Sequence, residues 1–378
     1  MNKSIVKFMF LATLLILTQV AFVQVAFADE DENSTESQIT DLQENMNKAL
    51  KDMKVQIDKV KSDNSDAKLS GEFRFNYANP QQGSTALNGF DVGRAYVTIK
   101  KKLDAGASLR FTFDSGRAAG TGTQFQTTYL KYAYIELPIE IPRGIPISAT
   151  AKIGLQHNMW IDWADKIWDN AYIMKQYDDN EGIMASSDFG FGLTGKISLP
   201  VLPEIEYHTT VLNGAGYKSA ETNGAKDMGI RLNTEVFKDE NIGTLILGAY
   251  GNMTNAMDPN VTTNTTQAAA LLALKNEGVG TVYIEALSGA TAARNPIGGT
   301  SIGGFLNLPP EFLNVGLLYR SDTYTPDTTG TNNDKKKIVW GVFYKYGNDV
   351  RLAYDVQTTQ TGTGTTTQVA YVHLLTTF

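Results

Sequence analysis

The sequence predicts an all-β protein: a transmembrane antiparallel β-barrel of 14 or 16 strands, preceded by a short amphipathic coiled-coil helix. Three observations carry this. Apolar and polar residues alternate with period two from Leu69 onward. The connections alternate between short turns and long polar loops. The polar face carries charge on strand after strand, which a small soluble core could not bury unpaired.

The elements follow in order. Residues 1–28 read as a signal peptide, with Lys3 and Lys7 as a basic start, an apolar run from Phe8 to Val23, and the small-residue site Ala26-Phe27-Ala28. An uncleaved membrane anchor is the alternative. Residues 29–38 are acidic and polar, a flexible segment. From 39 to 66, Ile39, Leu42, Met46, Ala49, Met53 and Val60 fall on one narrow seam, the pattern of a coiled coil. So thin an apolar stripe needs a partner helix, and a partly helical linker is the other reading. At about 1.5 Å per residue, such a helix would reach roughly 40 Å.

The barrel is assigned to 67–378. Leu109, Phe111 and Phe113 oppose Arg110, Thr112 and Asp114; Met228, Ile230, Leu232 and Val236 oppose Arg231, Asn233 and Glu235. Short connections lie at 104–107, 202–204, 238–241 and 347–349. Long ones are read at 79–89, 115–126, 158–187, 213–225, 254–278 and 323–335. This gives about 14 strands, and the ambiguous stretch 289–310 could add two. An even number is expected of a closed single-chain barrel. Tyr and Trp near strand ends, such as Tyr132 with Tyr134 and Trp340 with Tyr344, suit interfacial girdles. The last residues, VAYVHLLTTF, read as the closing strand, expected to pair with the segment Leu69–Tyr77. The final strand and its terminal Phe378 look like the assembly signal of bacterial outer-membrane proteins, offered as an added edge strand to the barrel-assembly machinery.

Composition excludes other classes. With no cysteine there is neither a disulfide framework nor a thiolate metal site, and the three histidines share no metal spacing. No cofactor is expected. A formal charge of −7 gives no basic face for nucleic acid. No nucleophile motif accompanies the histidines, so the chain is not read as an enzyme.

The segments GFDVGRAYVTIKKKL (89–103), SLRFTFD (108–114), YLKYAYIELP (129–138), AKIGLQ (151–156), VLNGAGY (211–217) and KDMGIRL (226–232) occur in the order seen in phosphate-selective porins of the O and P type, which the chain resembles over roughly 69–237. The resemblance implies a trimeric 16-stranded outer-membrane barrel, some relatives carrying an amino-terminal coiled coil. It implies a water-filled channel for small hydrophilic solutes or ions, set among outer-membrane lipid in a Gram-negative-type bacterium. Gly93-Arg94 replaces the family's Arg pair, GLQHNMW (154–160) replaces its Lys-x-Pro-Phe turn, and no dense Arg ladder is present. Phosphate selectivity is therefore not carried over.

With the apolar face outward, the pore-lining candidates are Arg74, Arg94, Arg110, Asp114, Lys152, Lys196, Glu206, Arg231, Glu235, Arg351 and Asp355. The constriction is assigned to the loop 158–188. There Trp160, Trp163 and Trp168 would pack on the inner wall while Asp162, Asp165 and Asp169 face the channel and favour cations. A carboxylate-rich outer cap, able to hold a divalent ion, fits the same residues. The functional alternative to a channel is a non-conducting structural or adhesive barrel tethered by its coiled coil.

Overall fold

The computed structural model describes residues 67–378 apart from 82, 85–87, 118–125, 222–223, 255–264, 291–295, 310–313, 331–333 and 365, together with Lys48 and Lys51, both helical and exposed. The signal peptide, the acidic segment and almost all of the coiled-coil call lie outside the described residues.

Sixteen antiparallel strands close into a barrel in chain order. They are β1 (Ala67–Pro80), β2 (Gly89–Lys102), β3 (Ser108–Arg117), β4 (Gln126–Ile139), β5 (Ile147–His157), β6 (Ser187–Ile197), β7 (Ile205–Leu212), β8 (Asp227–Asp239), β9 (Gly243–Thr254), β10 (Thr265–Asn276), β11 (Gly280–Ala290), β12 (Pro296–Asn307), β13 (Val315–Thr325), β14 (Lys335–Tyr346), β15 (Val350–Thr361) and β16 (Thr367–Thr377). Most run 10 to 14 residues, enough for a tilted strand to cross a hydrocarbon core, which takes about 9–11. The seam joins β1 to β16, from Glu72 opposite Thr377 to Pro80 opposite Val369, so no edge strand is left open.

Sixteen settles the strand count, and β10 is where the sequence reading errs. Its residues, TTQAAALLALKN, fell inside an expected loop at 254–278. Alanine and leucine favour helix, and an unbroken apolar run shows no alternation. In the barrel Ala269, Leu271 and Ala273 are buried inside while Leu272 stands exposed outside. The ambiguous stretch 289–310 supplies one strand, β12. Two other irregularities are bulges. At Glu235/Phe237 the register of β8 shifts, so that Val236 and Phe237 are both exposed, and at Thr112/Phe113 the register between β3 and β4 shifts by one residue.

The exterior is a band of exposed apolar side chains: Ile153, Phe191, Ile230, Leu272, Ile302, Val342, Leu352 and others. In water it would be a liability, and in a bilayer it is the solvent-matched surface. No described helix is long and apolar enough to cross a membrane; the crossing elements are strands. The core lies inside, where the connection between β5 and β6 meets the wall.

Candidate functional site

That connection carries two helices, α1 (Met159–Trp168) and α2 (Tyr177–Asn180). Helix α1 starts because the Asn158 side chain accepts from Trp160 N and Ile161 N, satisfying donors with no intrahelical partner. It stops at Asp169, which is left-handed (φ 53°). Met159, Trp160, Ile161, Trp163, Ala164, Ile167 and Trp168 are buried, so the apolar stripe faces the wall of β8 to β13 and the loop folds into the barrel.

The wall is shaped to receive it. A Cβ on Gly248 of β9 would overlap the Trp163 ring; one on Gly229 of β8 would stand 2.5 Å from Met159 Cε, and one on Gly299 of β12 2.7 Å from Tyr177 Cε2. The small Ala269 and Ala273 of β10 belong to the same apolar cluster. Trp160 lies against Trp163 and Tyr250, its ring tilted to both at centroid distances of 5.1 and 5.7 Å, and donates its indole N–H to Glu285 Oε1 at 2.6 Å. Trp168 lies edge-on to Tyr283 and donates to Met174 O at 2.8 Å, closing the loop on itself.

Four arginines from four strands hold the loop's carbonyls. Arg74 donates to Ala171 O (2.8 Å), Arg231 to Met159 O (2.6 Å), Arg351 to Asp169 O (2.8 Å), and Arg320 to Lys175 O (2.8 Å). Arg320, itself fully buried, also forms a bidentate pair with the buried Asp322, both contacts 2.8 Å. Three buried tryptophans bring roughly 4–6 kcal/mol of apolar burial each, against about 1.5–3 for each charged hydrogen bond. Packing therefore fixes the loop, and the arginines set its register.

On the far side of α1 the barrel stays open. Two cavities of about 310 and 290 Å³ lie between the helix and the strands β1 to β5, β15 and β16. The helix contributes Asp162, Asp165 and Asp169; the wall contributes Arg74, Arg110, Tyr96 and Tyr132, with Arg351. The wall cations sit over tyrosine faces: Arg94 over Tyr96 (5.3 Å), Arg110 over Tyr132 (4.8 Å) and Lys152 over Tyr134 (4.8 Å). The bulge in β4 leaves Lys131 without a partner in β3, and its buried ammonium lies 4.0 Å from the Tyr217 ring centroid and bonds Ser186 Oγ. Asp162 pairs with Lys166 at 2.7 Å and approaches His157 at 3.8 Å; Asp169 pairs with Arg351 at 3.0 Å. Asp165 has one oxygen with no hydrogen-bond partner. Its carboxyl is pushed up to about 6 by burial, with Arg74 opposing and Asp179 adding to the rise.

The remaining candidates are scattered. Arg74 also pairs with Glu72, Arg94 with Asp114 (3.2 Å), and Lys152 with Glu136 (3.3 Å). Asp114 accepts from the Tyr217 hydroxyl at 3.3 Å. Lys196 meets Glu204 and Glu206 at 2.6 and 3.7 Å near the short-turn end, far along its strand from α1, and Glu235 is exposed. Asp355 is buried against His373 at 2.7 Å. Strand pairing ends at Thr377, one residue before Phe378. Sequence reasoning missed Glu285, Arg320 and Lys131. Glu285 sits between Tyr283 and Leu287 on the face opposite the exposed Val282 and Ile284, and an acid on an otherwise apolar buried face was the available signal.

Solved structures place this architecture. OprB of Pseudomonas putida superposes with a TM-score of 0.60 at 10% identity, covering 82% of this chain and 94% of that one. The anion-selective porin of Comamonas acidovorans does so at 0.54 and 11%, covering 82% and 99%. The fold is that of the outer-membrane porins. The outer membrane protein OmpT of Vibrio cholerae, in a structure described as a trimer form, matches at 0.52 and 11%, covering 82% and 99%. No family model and no curated protein matches the chain, so the resemblance to the O and P family rests on its short motifs.

Proposed function

We propose that this chain is an outer-membrane porin, a water-filled channel for passive diffusion of small hydrophilic solutes or ions. The carrying observation is the asymmetry of the lumen: one side is filled by a loop seated in glycine notches, the other left as polar cavity. A structural barrel would have no need to leave that side open while anchoring the loop so firmly to the other. Asp162, Asp165 and Asp169 on α1 face Arg74 and Arg110, a transverse field that orders water and sorts solutes by charge and size. With Asp162 and Asp169 partly neutralised by Lys166 and Arg351, the cation preference is modest.

The reading includes export by the residues 1–28, closure through the carboxyl-terminal strand with Phe378 as its assembly mark, and a homotrimer carrying coiled coils from 39–66. The trimer form of the Vibrio protein and the anion selectivity of the Comamonas porin are properties of those proteins; the first supports the trimer here. The test is planar-bilayer recording on heat-modifiable protein extracted from the outer membrane. Stepwise conductance with cation-over-anion permeability that falls in Asp162→Asn, Asp165→Asn, Asp169→Asn is expected. A silent bilayer overturns the channel and favours the structural barrel; an unchanged reversal potential removes the assignment of the constriction.

A further inference from the structure

Of the two cavities beside α1, the one of about 290 Å³ lies between the helix and the strands β1 to β5 and β16. Its charged and titratable lining consists of Glu72, Arg74, Arg110, His157, Asp162 and Asp165. Most of these groups compensate one another. Arg74 pairs with Glu72 and also holds Ala171 O. Asp162 pairs with Lys166 at 2.7 Å. His157 Nε2 meets Arg110 Nη1 at 2.9 Å, and a guanidinium can only donate, so that ring nitrogen accepts and His157 is neutral.

Two charges remain. Among the described residues, neither Arg110 nor Asp165 forms an ion pair. The groups that Arg110 touches are neutral: the Thr112 hydroxyl accepts from its Nε at 3.1 Å, His157 accepts from Nη1, and the Tyr132 ring centroid lies 4.8 Å away. Asp165 has a buried carboxylate oxygen with no hydrogen-bond partner, and burial pushes its carboxyl up to about 6. One cavity thus carries an uncompensated cation on β3 and an uncompensated anion on α1. A simple ion entering it satisfies one pole and leaves the other bare. A neutral solute gains a charge-balanced bond from neither. A solute that bears a carboxylate and an ammonium on one small frame satisfies both. The volume is at the lower end of small-molecule sites, about 300 Å³, which limits the guest to a few heavy atoms and some water.

We propose that this cavity is a selectivity subsite for small zwitterions of the class of a free α-amino acid, with Arg110 taking the carboxylate and Asp165 the ammonium. The assignment rests on the barrel being an open porin, and the test separates the two. Entry of labelled alanine is followed into liposomes holding the reconstituted protein at about pH 7, where Asp165 is mostly charged. Entry should saturate and be competed by glycine. Lactamide, alaninamide and lactate match alanine in size but are neutral, cationic and anionic, and each should compete about tenfold more weakly. Arg110→Gln should abolish the preference for alanine over alaninamide, and Asp165→Asn the preference over lactate, with folding checked by heat-modifiable mobility. Preferences unchanged in folded variants overturn the assignment. If a variant fails to fold, the unsubstituted protein decides: alanine and lactamide entering at equal, unsaturable rates remove the subsite and leave the porin reading standing. Liposomes closed to both solutes remove the porin reading and the subsite with it.

Discussion

Trp160 of α1 and Glu285 of β11 are both wholly buried and joined by an indole N–H to carboxylate hydrogen bond of 2.6 Å, across 125 residues of sequence. The bond ties the loop helix to a wall strand in an otherwise apolar cluster. The second Glu285 oxygen has no hydrogen-bond partner, so the indole is the acid's main compensation for leaving water.

Trp160→Phe should therefore cost more than lost packing. It strands a buried acid, and about 1–3 kcal/mol is expected from the missing partner. Glu285→Gln keeps an acceptor for the indole and removes a buried acid with one unpartnered oxygen, so its cost should be under about 1 kcal/mol. Unfolding of the barrel followed by heat-dependent gel mobility distinguishes the two, and Trp160→Phe should also raise open-channel noise. Equal destabilisation by both variants counts against the bond.

Gly248 of β9 faces Trp163, and a methyl group there meets the ring. Gly248→Ala should displace the loop at a cost of about 1–3 kcal/mol, the usual range for overpacking. Combining it with Trp163→Leu should recover part of that loss, since the colliding ring is gone. Additive costs in the double variant would show that the notch does not seat Trp163.

Arg320 is fully buried, pairing Asp322 while its remaining donors hold Met174 O and Lys175 O. Arg320→Met leaves Asp322 uncompensated and frees the loop end, a loss of about 3–5 kcal/mol. Arg320→Met with Asp322→Leu should lose less than the single change, because no charge is then stranded. Thermal mobility shifts of the two proteins decide the point.

Much of this was legible in the sequence. Alternation gave the barrel, and the near-helical spacing of Trp160, Trp163 and Trp168 gave a helix with an apolar face. Two assumptions limited the rest. Alternation was expected of every strand, but β10 packs against the loop, so its inner face is as apolar as its outer one and the period vanishes. Inward charges were expected to line water, but Arg74, Arg231 and Arg351 each bond a loop carbonyl, and Arg320 lies beneath the loop. No single-strand pattern encodes that a loop 100 residues away will cover a given side chain.

The last prediction concerns pH. Asp165 lies on α1 rather than on a strand, half-buried beside the open cavities, and burial holds its carboxyl up to about 6. Its ordinary value is near 3.9, so between the two it is protonated in the folded protein where a free aspartate would be charged. Above about pH 6 it adds a negative charge to the α1 face; as pH falls through 6 that charge is lost. Cation-over-anion permeability should thus decline between about pH 7 and 5, before ordinary surface carboxylates titrate. Asp165→Asn should flatten this step while leaving the decline below about pH 4.5 intact. Reversal potentials under a salt gradient, recorded across that range for both proteins, test it; an identical step in the variant assigns the titration to another group.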